Sequence, residues 1–530
     1  MNLDVLKEIF QDKSEIKVIR NYRTTHNPKN KEKTRLWLEK TVLRIANFEA
    51  GMPVIITVVD GYIHIRVAEI LETPTHHIHG RTKKDGERDP LLDVCNNEVD
   101  AVLGIGIKID VVVKEKELII YKEMSFKMFD GINKTEFWND GAKKYRVVSL
   151  FSGGGAMTAG FVNTQGFESV MAIDSDIPEQ NPFDYELEGK TASYTSWTVE
   201  TFKKNFPDTL FYWGDIKSVN PVYIPKADIV IISPPCVEYS GLGLKMKGLV
   251  EHFASHIVRI ILETGAFAIF FENVPAYFKS QTFKMIKSML SDVFVEWHGK
   301  DINSYDLGAI ESRNRHYEVA FRDNTIFEFP EMPQIPNNRR KKIQAFLDDE
   351  STVKWRPIEG TVMHSFLTTH KEKFSHTGFT SDKNKMLVDS KDNKVACFVK
   401  GYGKIQSVCS YLRNPKDDSQ WRPFTTNEIA KMMNYPNWFE FPKNMSVTRQ
   451  LEVLGNSVNN KPIEAIASRI ENALMAYEIK KSASKTVELD EIAQLKAEIN
   501  RLTSLEAEFK REQTRRAKIE SEKERCLFCS

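Results

Sequence analysis

Disulfide-forming potential, membrane-spanning runs and excess charge of one sign are all scarce in this chain. Its 6 cysteines are scattered through 530 residues, too few and too dispersed for a disulfide scaffold, so a reducing compartment is expected. No apolar run reaches the roughly 18 residues that a membrane helix needs, so no membrane partner is expected. The first residues, Met1 to Glu15, carry acids where a secretory leader has a basic and then an apolar stretch. A cytoplasmic location is expected. Lys and Arg number 74 against 73 Asp and Glu, so any face for a polyanion must be a local concentration of charge. A P-loop is missing too, and no phosphate cofactor is demanded.

Material for several cores is present. Hydrophobic residues make up 41% and charged residues 28%, the balance of soluble globular domains, and the length implies roughly two to four of them. Residues 1–143 read as a β-rich module with a repeat at an offset of 55 residues: Gly51 to Val59 aligns with Gly106 to Lys114, and a second short strand, Tyr62 to Ile65 or Glu117 to Ile120, follows each copy. Two hairpins packed on each other are expected. The pattern is similar to AbrB-type swapped-hairpin barrels, which bind DNA or dimerise; a plain structural β-module fits it as well. No residue of catalytic type stands out there, so a chain beginning near Lys143 is expected still to bind cofactor.

From Tyr145 the pattern changes. Apolar runs of strand length occur at Arg146–Phe151, Val170–Ile173, Asp228–Ile232, Ala268–Phe271 and Glu318–Phe321, with helical stretches such as Val250–Leu262 and Thr282–Leu290 between them. Such alternation predicts a Rossmann-like α/β domain with a doubly wound, mostly parallel sheet, covering 144–330. The alternation fades after Phe329. Residues 331–421, with 16 Lys and Arg against 11 Asp and Glu, read as a small inserted domain, and 422–480 as the return to the α/β domain. The tail, 481–530, is charged and helical; Ile492, Leu495, Ile499 and Leu502 follow a/d spacing over too few heptads to separate a coiled coil from a surface helix. Its Cys526-Leu-Phe-Cys529 end lacks the second pair that a zinc site requires, and no metal is expected.

Phe151-Ser-Gly153-Gly-Gly155 follows the first of these strands, where glycines let the backbone turn close to a bound nucleotide. Asp174 ends the next strand, 21 residues beyond Gly153, the position of a ribose-binding carboxylate, and Gly214-Asp215-Ile216 puts another acid at a third strand end, suited to an adenine amino group. A nucleoside cofactor without pyrophosphate fits these features. Ser233-Pro-Pro-Cys236 follows the strand that ends at Ile232. A lone cysteine is usually a small buried hydrophobe, but two prolines would hold this one rigidly at the carboxyl edge of the sheet, where active sites collect. Glu272-Asn-Val274 offers a carboxylate at the next strand end. Glu311-Ser-Arg313-Asn-Arg315 offers two arginines at alternate positions, on one face if they share one strand.

Taken in order, these motifs, with Arg422-Pro-Phe-Thr-Thr-Asn-Glu428, Met433-Asn-Tyr-Pro436 and Leu454-Gly-Asn456-Ser457-Val458, resemble the DNA cytosine-5 methyltransferases over Tyr145 to Arg469. The resemblance implies S-adenosylmethionine held by Phe151, Gly153, Gly155, Asp174, Asp215, Ile216, Asn456 and Ser457. It implies Cys236 as the nucleophile at cytosine C6, Glu272 at N3, and Arg313 and Arg315 at the base. It implies double-stranded DNA as partner, a target-recognition role for 331–421, a nucleoid association, and a cognate restriction endonuclease or a protective role in a phage or its host. The alternative within this resemblance is an RNA (tRNA) cytosine-5 methyltransferase, which uses the same motifs. Departures are Glu311, where the family usually has Gln, Val237-Glu238-Tyr239 after the cysteine, and the extra stretch Pro178–Ser196.

Overall fold

The computed structural model describes residues 15–28, 31–38, 40–59, 61–82, 86–123, 144–176, 196–235, 253–368 and 385–478. Cys236, nearly all of Pro178–Ser196, and the tail from Ser482 with its two cysteines lie outside the described residues. The chain divides into two compact units, 1–324 with 328–471, and 325–327 with 472–530; the first carries every described candidate residue.

One mixed sheet of 13 strands dominates the first unit. Its strands in chain order are β1 (Val18–Arg23), β2 (Pro53–Val59), β3 (Tyr62–Val67), β4 (Lys108–Lys114), β5 (Glu117–Lys122), β6 (Tyr145–Leu150), β7 (Phe167–Asp174), β8 (Leu210–Trp213), β9 (Ile229–Ile232), β10 (Ala268–Asn273), β11 (Glu296–Asn303) and β12 (Asn314–Phe321), with a two-residue edge strand at His76–His77. Their spatial order is β11-β12-β10-β9-β6-β7-β8-β1-β4-β5-β3-β2 and then the edge strand. The middle, β10-β9-β6-β7-β8, is parallel, and the chain reverses direction of growth between β6 and β9. Ligands of open α/β sheets bind at such a reversal, beyond the carboxyl ends of the strands. β9 reads Ile-Val-Ile-Ile and is buried at all four positions, as a strand covered on both faces must be.

The expected parallel sheet is therefore only the middle of a larger mixed one. On one side β12 and β11 run antiparallel. On the other, β1 joins β8 in parallel, and β4, β5, β3 and β2 continue antiparallel. The two repeated hairpins do lie side by side, joined through β5 and β3. They also share the α/β core: Ile19, Val112 and Tyr121 pack with Val148, Met171 and Ile232 on one face of the sheet, and Val18, Val111 and Ile120 with Ala172, Phe211 and Trp213 on the other. Every residue of β8, Leu-Phe-Tyr-Trp, is buried, which an edge strand could not achieve. A separate four-stranded sheet lies within 331–422, from Arg356–Pro357, Leu387–Val388, Tyr411–Asn414 and Asp417–Arg422.

Among the helices, α1 (Ala156–Val162), α2 (Trp197–Asn205), α3 (Ala254–Thr264) and α4 (Gln281–Leu290) follow strands of the parallel part or its border. Helices α5 (Thr426–Met432) and α6 (Val447–Asn456) return from the insertion. The block Arg422 to Glu428 starts α5 with a capping box: Thr425 Oγ1 accepts from the Glu428 N–H, and the Glu428 carboxylate from the Thr425 N–H. That buried carboxylate also takes two 2.7 Å bonds from Arg422. No described helix is long and apolar enough to cross a membrane.

Candidate active site

Phe151, Gly153, Gly155, Asp174, Asp215 and Glu272 fall at or just beyond the carboxyl ends of the parallel strands. The turn after β6 is left-handed at Phe151, Gly153 and Gly155, with φ of 56°, 53° and 92°, a region that glycine enters without steric cost. A Cβ on Gly154 would sit 2.8 Å from Val453 Cγ1, so α6 packs directly over this turn. Asp174, ending β7, accepts from the Gly153 N–H at 2.8 Å and the Asp176 N–H at 2.7 Å. Burial pushes its carboxyl up, and those two bonds work in the opposite direction. Asp215 caps the short 3-10 turn Ile216–Ser218 by accepting from the Lys217 N–H at 2.9 Å, and the Lys217 ammonium lies 3.2 Å away. Phe151 packs against Phe253 with ring centroids 5.6 Å apart, and Ile216 is buried.

This donor set suits a nucleoside cofactor. Two carboxylates end adjacent strands, an aromatic ring and an aliphatic side chain stand beside them, and an added Cβ on Gly153 would meet nothing within 4 Å among the described residues. Ser152 Oγ, buried in the same turn, has no hydrogen-bond partner among the described residues. Asp176 was not singled out from the sequence. Burial, reinforced by the charge of Asp174, raises its carboxyl to about 7, against bonds from Ser196 and Thr198.

Past β9 the described turn runs through Ser233, Pro234 and Pro235. Ser233 Oγ donates to Glu272 Oε2 at 2.8 Å, and Asn273 Nδ2 donates to the Pro234 carbonyl at 2.8 Å. The turn leading to Cys236 is thus tied by two bonds to the end of β10. Ser233 and Asn273 had no role in the sequence reading, although both stand inside its motifs. Glu272 is buried, and Arg315 Nε lies 3.2 Å from its Oε1.

Arg313 goes elsewhere. The run of strand is broken at Arg313: Glu311–Ser312 pairs with Val395–Ala396, whereas Asn314 onward pairs within the large sheet. The strand is interrupted at Arg313, so the spacing alone does not put the two arginines on one face, yet the charge of Glu272 acts on both guanidinium groups. Arg313 is buried, donating to the Phe398 carbonyl and the Cys397 sulfur, each at 3.0 Å, and to the Ser457 carbonyl. Burial opposes its charge, but Cys397, Glu311 and Glu272 outweigh it and hold the guanidinium above its usual value. Glu311 lies fully buried beside it, accepting from Phe398 N–H at 3.1 Å and Asn459 Nδ2 at 2.9 Å. Asn456 is exposed at the end of α6, and the Ser457 hydroxyl is occupied by Tyr435 OH at 2.6 Å and the Leu454 carbonyl at 2.7 Å.

The fold is that of an α/β enzyme whose candidate residues gather beside the sheet reversal, two strand-end carboxylates on one side and the buried Glu272–Arg315 pair on the other. The chain belongs to the C-5 cytosine-specific DNA methylases, whose family model matches residues 145–472. It is similar to the Type II methyltransferase M.MspI of Moraxella sp, with 28% identity over 71% of this chain and 85% of that one. Type II methyltransferase M1.ScrFI of Lactococcus lactis subsp. cremoris is 27% identical over 63% of this chain and 80% of its own. A solved methyltransferase of Entamoeba histolytica aligns with a TM-score of 0.48 and 19% identity, over 63% of this chain and 99% of that one.

Proposed function

We propose that the protein methylates C5 of a cytosine flipped out of duplex DNA, with S-adenosylmethionine as donor and Cys236 as nucleophile. The observation that supports this most is the Glu272 carboxylate, buried, paired with Arg315 and bonded to Ser233 of the turn that leads to Cys236. Cytosine C5 is a weak nucleophile within the aromatic ring. Addition of the Cys236 thiolate to C6 makes an enamine whose C5 can accept a methyl group. S-adenosylmethionine supplies that methyl as an electrophile. Glu272 meets N3 and supplies a proton or hydrogen bond as charge builds on the ring. Arg315 holds one carboxylate oxygen and Ser233 the other, so the carboxyl is aimed before the base arrives. After a base takes the C5 proton, the C6–sulfur bond breaks and the thiolate is restored. The base must leave the duplex to be reached at all.

Asp174 and Asp215 accept from the ribose hydroxyls and the adenine amino group in this reading, with Phe151, Gly153, Gly155 and Ile216 lining the same side and Asn456 and Ser457 at the end of α6. Residues 144–330 and 422–480 form the catalytic domain, and 331–421 reads the target sequence. Because the relatives are named Type II methyltransferases, we assign the protein a role beside a restriction endonuclease. Bisulfite sequencing of DNA from cells expressing the protein tests the reading. Methylcytosine in one sequence context, absent with the Cys236→Ser variant, is expected; unmodified DNA from cells with active protein overturns it.

A further inference from the structure

The segment that follows β8 carries the candidate adenine carboxylate, and four side chains, one from β1 and three from the N-terminal hairpins, hold it. Asn21 of β1 packs on Gly214, where a Cβ would come within 2.6 Å of Asn21 Cβ. Lys108, at the start of β4, donates to Ser218 Oγ at 2.8 Å. Asp110, buried in β4, accepts from Tyr223 OH at 2.6 Å and from Asn21 Nδ2 at 2.7 Å, while Tyr121 of β5 bonds the same Tyr223 hydroxyl. Asp215 and Ile216 lie between these attachment points. The neighbouring carboxylate is held from the same side: Arg20 of β1 stacks 3.9 Å over Trp213 and donates to its carbonyl at 3.2 Å, Trp213 Nε1 donates to the Ser175 carbonyl at 3.1 Å, and the Gly214 N–H donates to the Asp174 carbonyl at 3.0 Å.

A polar cluster this deep has a structural use, since Asp110, Tyr121 and Tyr223 would be costly to bury without each other. Its placement gives it more. The catalytic-domain partners named for Asn21, Lys108, Asp110 and Tyr121 (Gly214, Ser218 and Tyr223) lie within the ten residues from Gly214 to Tyr223. Lys108 and Ser218 in addition meet near the surface, where a packing role needs no such bond.

We propose that the N-terminal hairpins are part of the cofactor site, with Lys108 and the Asp110–Tyr223 pair as positioning residues that set the Asp215 turn for S-adenosylmethionine. The proposal rests on the cofactor reading above. It replaces the expectation that a chain starting near Lys143 binds cofactor unaided. The structural logic is preorganisation: a short 3-10 turn has few bonds of its own, and fixing it beforehand removes an ordering cost from cofactor capture.

Three variants of the full chain test it in steady-state kinetics and calorimetry with S-adenosylmethionine: Tyr223→Phe, which deletes one hydroxyl, Lys108→Met, which deletes a charge at the surface, and Asp215→Ala. Loss of one such bond should raise KM and Kd for S-adenosylmethionine about ten-fold in the first two, with kcat at saturating cofactor and KM for DNA unchanged. Combining Tyr223→Phe with Asp215→Ala should then weaken binding no further than Asp215→Ala alone. Unchanged cofactor KM in both Tyr223→Phe and Lys108→Met, with a raised one in Asp215→Ala, overturns the positioning role. Parallel losses in kcat and in both KM values that track the melting temperature overturn it too, because that is the signature of a merely structural bond. Unchanged affinity in Asp215→Ala overturns the cofactor reading itself.

Discussion

Arg315 Nε stands 3.2 Å from Glu272 Oε1, from one antiparallel strand to the next, and both side chains are largely withdrawn from water. A guanidinium so placed stabilises charge on the carboxylate and on a base beside it. Arg315→Gln should lower kcat by about 10²–10³-fold, leaving the affinity for S-adenosylmethionine, measured by calorimetry, as it was. Wild-type kcat in this variant would show that the pair is an ordinary ion pair.

Glu311 is fully buried, and its surroundings use both of its carboxylate oxygens. Its two oxygens serve Phe398 N–H, Asn459 Nδ2 and the Arg313 guanidinium, so one bond set links the α/β domain, the inserted segment and the residues after α6. Glu311→Gln replaces one acceptor with a donor and should cost about 1–3 kcal/mol. Glu311→Ala leaves the Arg313 charge buried without its carboxylate and should cost about 3–5 kcal/mol. Denaturant melts of the two variants check this order; equal losses would deny the carboxylate its role.

Much of this architecture was legible because local chemistry and global fold agree. Each predicted strand of the α/β domain appears within a few residues: Arg146–Phe151 as Tyr145–Leu150, Ala268–Phe271 as Ala268–Asn273. The repeated hairpins appear too, since alternation and turn residues are local signals. The union of β1 with β8 was not legible. It joins Val18 to Phe211 across nearly the whole N-terminal half, and nothing in either segment names its partner. The surroundings of Arg313 were not legible for a related reason. Its spacing from Arg315 implies a shared face only within one continuous strand, and the change of pairing from Val395 to the large sheet is a tertiary event. Ser233 and Asn273 were in view as motif letters, but their bonds to Glu272 and Pro234 become visible only when β9 and β10 are placed side by side.

His316, next to Arg315, donates to Asp301 Oδ1 at 2.5 Å and Glu318 Oε2 at 3.1 Å and stacks on Phe278. Burial opposes its charge, yet the bonds to Glu318 and Asp301 outweigh burial and raise its pKa. A raised folded value means that the stabilisation is complete below the ordinary histidine pKa of about 6.5 and fades as pH rises through the folded value. The melting temperature of His316→Gln should fall furthest below wild type in acid, and the gap should close toward alkaline pH. A gap that is constant with pH would mean that packing on Phe278 is all His316 contributes.

Target choice should travel with 331–421. Side chains that read base edges discriminate by about 1–3 kcal/mol for each good bidentate contact, enough to fix a short sequence. Exchanging this segment for that of a relative with a known target should move the methylated sequence, as read by bisulfite sequencing. An unmoved motif would place recognition outside the segment.

In the proposed mechanism Cys236 attacks cytosine C6 covalently. Fluorine at C5 cannot leave as a cation, so the step that frees sulfur is blocked once the methyl group has been transferred. Incubation with 5-fluorocytosine DNA and S-adenosylmethionine should give a protein–DNA adduct stable to denaturation, with the cross-linked peptide containing Cys236. Cys236→Ser should form none, because a hydroxyl near neutral pH is a far weaker nucleophile than a thiolate, whereas Cys95, Cys397 and Cys409 should be replaceable without losing it. An adduct that survives Cys236→Ser, or methylation of ordinary DNA with no adduct on the fluorinated one, would contradict the mechanism.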